Sequence, residues 1–134
     1  NRFFSDYGDR GLLETRIRAG ERDFYFYVTH WGLEDKERLA QAKETLRWTM
    51  ENKGPKVIAG DLNATPDSPE IALMLSEYTD AFQGKENAFT FKTSSPSKRI
   101  DYLFGDSAVK FLESKVIWSR ASDHLPIVSV ITFD

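Results

Sequence analysis

The chain has 134 residues, enough for one hydrophobic core and too few for two comfortable domains. Hydrophobic residues make up 40% and charged residues 29%, ordinary globular usage that excludes a disordered or fibrous protein. The net charge of -3 argues against broad electrostatic wrapping of nucleic acid, and the absence of cysteine excludes disulfides and thiolate metal sites. A small phosphate-processing site stays open, because a divalent cation can supply the missing positive charge.

Leu12 to Arg18 alternates, with Leu13, Thr15 and Ile17 on one side and Glu14, Arg16 and Arg18 on the other. That is the period of a half-buried strand. Ala19-Gly20-Glu21-Arg22 reads as a short turn returning Asp23 to Thr29 as the hairpin partner. Phe24 to Val28 is aromatic or β-branched on both faces, which predicts little water on either side. Glu34 to Lys53 is the clearest helix: Leu39, Ala42, Leu46 and Met50 form one apolar stripe, and Gly54-Pro55 ends it. Lys56 to Gly60 is a short buried strand, and Asp67 or Ser68 caps a second helix over Pro69 to Glu77. Phe89 to Phe91, Arg99 to Phe104, Val109 to Trp118 and Ile127 to Phe133 read as four further strands. The order is an α/β (α+β) pattern, a mixed β-sheet with flanking helices in one domain. The longest apolar runs are a few residues, short of the roughly 20 that a membrane-crossing helix needs.

Two distant strings share one grammar. Gly60-Asp61-Leu62-Asn63 and Ser122-Asp123-His124-Leu125-Pro126 each bring an acid and a second polar group to the edge of an apolar strand. Loops at such edges carry chemistry on a rigid scaffold. Asp61 and Asn63 suit an orienting carboxylate and a phosphate-steadying amide; an Asx turn explains the same two residues. Asp123 suits a hard cation and His124 a phosphate oxygen or a proton, while a solvated charge pair is the plain alternative. Asp101 lies inside the apolar run Ile100 to Phe104, where an ionised carboxylate needs a partner. Its pairing with His124 is the expectation, with a salt bridge to Arg99 the weaker choice. His30 ends the second strand, either as a phosphate donor or as a packed, hydrogen-bonded ring. Arg99 and Lys98 are candidate phosphate-binding cations or simply solvated loop charges.

Taken in order, Thr29-His30, Gly60-Asp61-Leu62-Asn63, Arg99-Ile100-Asp101-Tyr102-Leu103-Phe104 and Ser122-Asp123-His124-Leu125-Pro126 resemble the endonuclease/exonuclease/phosphatase superfamily, the deoxyribonuclease-I-like group. The resemblance implies a four-layer α/β/β/α sandwich and metal-dependent cleavage of phosphate esters with Mg²⁺ or Mn²⁺. It implies that His30 contacts the scissile phosphate, Asp61 activates or orients the attacking water, and Asn63 positions both. Asp101 would hold the ring of His124, which would stabilise charge on the phosphoryl oxygens, and Asp123 would act at the metal, directly or through water. The family's early-strand asparagine and principal metal-binding glutamate have no counterpart here, and Glu14 lies in the wrong strand to serve. The chain therefore resembles the C-terminal part of one such domain, with the N-terminal half absent. The expected partners are a phosphate-ester substrate, nucleic acid among the options, and either the missing half or a self-associated copy. A non-catalytic interaction module on the same fold is the alternative.

Overall fold

The hairpin legible in the sequence forms the middle of a six-stranded sheet. The computed structural model of the protein describes residues 1–5 and 9–134. Its elements are β1 (Arg2–Phe3), β2 (Gly11–Ala19), β3 (Arg22–His30), α1 (Asp35–Met50), β4 (Lys56–Asp61), α2 (Pro69–Leu75), β5 (Thr79–Asp80), β6 (Asp101–Gly105), β7 (Val109–Val116) and β8 (Ile127–Phe133). The large sheet runs β1-β2-β3-β4-β6-β5, with β3 and β4 parallel and its other pairs antiparallel. β7 and β8 form a separate two-stranded ribbon. The mixed sheet with two helices is thus the architecture the sequence predicts.

Strand alternation divides the large sheet into two chemically different faces. Tyr27, Ile58, Tyr102 and Phe104 belong to the face that α1 and α2 cover, packing with Trp31, Ala42, Leu46, Ile71 and Met74. The opposite face carries Phe24, Phe26, Val57 and Leu103, on which the ribbon lays Val109, Phe111, Ile131 and Phe133. The ribbon is only two strands wide, so Leu13 and Val28, paired across β2 and β3, stay exposed, as do Leu112, Val128 and Val130 on the ribbon. The expected dryness of both faces of β3 therefore holds at Phe24 and Tyr27 and fails at Val28.

Two local expectations are corrected. The apolar stripe of α1 keeps Ala42 and Leu46 buried, but Met50 is 55% exposed. The helix buries Arg38, Gln41, Thr45 and Thr49 instead, because the elements beneath offer partners: the Trp31 indole N–H donates to Thr45 at 3.3 Å, and Thr49 shares a 2.7 Å hydrogen bond with Tyr78. Phe89 to Phe91 is not a strand; Phe91 makes only single bridges to Lys98 and His124, too few for a ladder. β1 and β5, unpredicted from the sequence, have two residues each, too few to show a period.

Arg99, at the mouth of β6, ties that strand to β5 through Asp80 at 2.7 Å, with side chains 11% and 3% exposed. Its guanidinium also lies 4.8 Å from the ring centre of Tyr102. Removing one member of such a pair leaves the other charge buried and unmatched. Arg99→Met is therefore expected to lower the unfolding free energy by about 3–5 kcal/mol, read from urea denaturation midpoints. An unchanged midpoint would show that the pair does not hold the sheet.

Candidate active site

Register assembles the site. In the parallel pairing of β3 with β4, His30 lies opposite Asp61; in the antiparallel pairing of β4 with β6, Asp61 lies opposite Asp101. Cross-strand partners share a face, so the three form one row at one end of the sheet, on the face that bears Phe26 and Leu103. Gly60 makes the row possible. A Cβ there would stand 1.9 Å from the Thr29 carbonyl oxygen, so only a residue without one lets β3 and β4 approach this closely.

His124 arrives from the connection between β7 and β8. The Leu125 N–H donates to the Thr90 carbonyl at 2.7 Å and the Thr93 N–H to the Asp123 carbonyl at 2.8 Å, clasping residues 123–125 against the segment before β6. Phe91 packs its ring 4.9 Å from that of His124. In this seat His124 Nδ1 lies 2.8 Å from Asp101 Oδ2, and its Nε2 lies 3.7 Å from Asp61 Oδ2. His30 Nε2 approaches the same Asp61 oxygen at 3.3 Å. Asn63, in a left-handed conformation (φ 48°), donates its backbone N–H to Asp61 Oδ1 at 2.9 Å. The Asx turn and the site are therefore one arrangement: the turn aims the carboxylate and places the amide. Asn63 Nδ2 donates to the Trp31 carbonyl at 2.8 Å and lies 3.2 Å from His30 Nε2.

His30, Asp61, Asn63, Asp101 and His124 are thus brought together. Asp123 is exposed and is not part of the acid–histidine cluster of Asp61, Asp101 and His124, although its charge reaches His124. Arg99 is not brought there at all, its guanidinium being engaged by Asp80. Sequence reasoning passed over Arg10, whose Nη1 donates to the Trp31 carbonyl at 2.6 Å beside Asn63. It lines, with His30, Asn63, Phe91, Lys98 and His124, a cleft of about 810 Å³ that runs toward the first turns of α1 and α2. A lone arginine before a strand carries no pattern that would have singled it out.

Electrostatics couples the row. Burial raises the pKa of Asp61; the Asn63 N–H opposes that rise, the Asp101 charge adds to it, and both imidazoles oppose it. For His124, burial disfavours the charged ring, but the hydrogen bond and charge of Asp101, helped by Asp61 and Asp123, outweigh it and raise the pKa. A raised histidine pKa means that the pair stabilises the fold below the unfolded value of about 6.5 and that this stability fades as pH rises through the folded value. In the metal-free chain, Asp101→Asn should accordingly move the His124 titration, followed by NMR of the imidazole protons, to lower pH. A titration that stays in place would mean that Asp101 does not hold the ring.

The profile of the endonuclease/exonuclease/phosphatase family matches residues 1–124. A search of curated proteins by similarity returns no significant match. Among solved structures, an endonuclease/exonuclease/phosphatase family protein from Bacteroides thetaiotaomicron aligns with a TM-score of 0.83 at 18% identity, over 93% of this chain and 57% of its own. The mannosyl-6-phosphatase Bt3783 of Bacteroides thetaiotaomicron aligns at 0.74 and 20% identity, over 83% of this chain and 52% of its own. D. rerio TDP2, complexed with a single-strand DNA product, aligns at 0.78 and 21% identity, over 92% and 62%. At these identities the structures share a fold, and the chain spans little more than half the length of the solved chains it matches. With the profile covering nearly the whole sequence, the chain belongs to the endonuclease/exonuclease/phosphatase family.

Proposed function

We propose that this chain carries part of the active site of a metal-dependent phosphoesterase that hydrolyses a phosphodiester, in nucleic acid, a lipid headgroup or a smaller ester. The observation that carries the reading is the convergence of His30, Asp61, Asn63, Asp101 and His124 from four separate segments at one end of the sheet. Asp61, raised by burial and flanked by both rings, orients the attacking water. His30 and Asn63 contact the scissile phosphate. His124, held by Asp101, faces the charge that builds on the phosphoryl oxygens, the arrangement in which fixed charge lowers a barrier most. An interaction module on the same fold would have no use for a carboxylate committed to orienting a ring at a cleft.

Asp61, Asp101 and His124 each offer a ligand atom within 4.8 Å of the others. With Asp101 and His124 engaged by each other, the donors left for a divalent cation are carboxylate oxygens, which favour Mg²⁺ or Mn²⁺ over softer ions. Asp61 would hold it, since the Asp101 carboxylate is engaged by His124, with exposed Asp123 assisting directly or through water. The cation would neutralise phosphate charge and polarise the ester.

The chain acts as the C-terminal part of one domain, completed by an N-terminal half or a second copy. Support comes from the narrow ribbon opposite the large sheet, from the exposed Leu13, Val28, Leu112, Val128 and Val130, and from the share of the solved chains that is matched. Large apolar patches seldom stay bare. Light scattering on the isolated chain is expected to report self-association or a co-purifying polypeptide; a clean monomer would refute this.

Activity is tested with bis-p-nitrophenyl phosphate and p-nitrophenyl phosphate in Mg²⁺. The completed protein should prefer the diester, and Asp61→Asn should lower kcat by roughly a hundredfold or more. The 134-residue chain alone should be inactive. No hydrolysis of either ester by the completed protein would sink the reading in favour of a binding module.

A further inference from the structure

We infer that Gln41, a fully buried amide in the middle of α1, is a positioning residue that sets the orientation of the Asn63 side chain through a single peptide unit. The inference gives the site just proposed its control from beneath, and its geometry stands without the hydrolytic reading.

A buried amide is costly unless its donors and acceptors are met. Gln41 meets that condition by gripping the loop that follows β3. Its Oε1 accepts the Gly32 N–H at 2.7 Å, and its Nε2 donates to Glu37 at 3.1 Å. The Gly32 N–H and the Trp31 C=O belong to the same peptide group. That group is planar and trans, so the two dipoles point in opposite directions and turn as one rigid body. Gln41 holds one end of this body. The other end, the Trp31 carbonyl, accepts from Asn63 Nδ2 at 2.8 Å and from Arg10 at 2.6 Å.

The consequence reaches the chemistry in one step. With Nδ2 committed to the Trp31 carbonyl, the two ends of the Asn63 amide are distinguished and its Oδ1 is left to face another group. The same Nδ2 lies 3.2 Å from His30 Nε2, so the peptide unit also fixes the spacing between the amide and the ring. Trp31 is pinned in addition by its indole bond to Thr45, which holds the loop to α1 at a second point. Helix α1 therefore trades apolar packing for polar contacts along this face, and Gln41 is the contact that bears on the peptide plane.

The test uses the 134-residue chain and reads the Asn63 side-chain NH₂ pair by ¹⁵N NMR. Gln41→Leu, close in volume but without an acceptor, should shift that pair and speed its exchange with water several-fold. Gln41→Glu keeps an oxygen for Gly32 and, protonated beside Glu37, should restore the original signals. Thr49→Val serves as the control, since it removes another buried polar contact of α1, the one to Tyr78, away from this loop. It should cost stability and leave the Asn63 pair in place. Unchanged Asn63 signals in Gln41→Leu, or an equal change in Thr49→Val, would overturn the inference. In the completed protein, Gln41→Leu should lower kcat about tenfold with KM within about twofold, since one positioning hydrogen bond is worth that order. A wild-type protein that hydrolyses nothing would defeat the hydrolytic reading while the NMR outcome still judged this one.

Discussion

The register of three strands governs everything else in this molecule. His30, Asp61 and Asp101 are far apart in sequence, and they become neighbours because β3 pairs in parallel with β4 while β4 pairs antiparallel with β6. A slip of one residue in either ladder would send an acid to the helix-covered face and an apolar side chain to the cleft. The hydrophobic pattern forbids that slip, since it would drive Ile58 and Phe104 out of the main core. Gly60 adds a steric lock, because a Cβ there would collide with the Thr29 carbonyl of the neighbouring parallel strand. The scaffold's energetics and the site's geometry are therefore one constraint.

Much of this was legible in the residues, for reasons that can be named. Asp101 announced itself because an acid within an apolar run must find a partner, and His124 was the available ring. The turn at Asp61 and Asn63 was readable because short polar side chains after a buried strand bond back to the chain. Helix α1 was found by its period, but its buried face was misjudged. Hydropathy cannot distinguish a threonine or glutamine in solvent from one satisfied inside, and the partners Gly32, Trp31 and Tyr78 are all distant in sequence or in another element. Arg99 misled for the same reason: its neighbours in sequence suggest a loop charge, while Asp80, which claims it, belongs to a strand of two residues with no signature. Phe91 looked like strand and became the packing surface for a ring.

The charge pattern of the cleft differs from that of the chain as a whole. Arg38 stands between Glu70, at 2.6 Å, and Asp35, and so offsets the two acids at the helix end of the cleft. Arg10 and Lys98 line the same cleft, and the imidazoles flank Asp61. The local balance is thus more favourable to phosphate than the overall charge of -3 implies.

His124 rides on a connection whose hold differs from that of the rest of the row. Residues 123–125 are tied by backbone hydrogen bonds to Thr90 and Thr93, and the ribbon they lead into docks through the small cluster around Phe24, Val57 and Val109. The other acids and His30 belong to the large sheet, anchored by its main core. Detachment of the ribbon is then a cheaper fluctuation than melting of the sheet. Under mild stress the protein would lose its second imidazole first, leaving a folded platform on which the remaining acids stand without the ring that completes them.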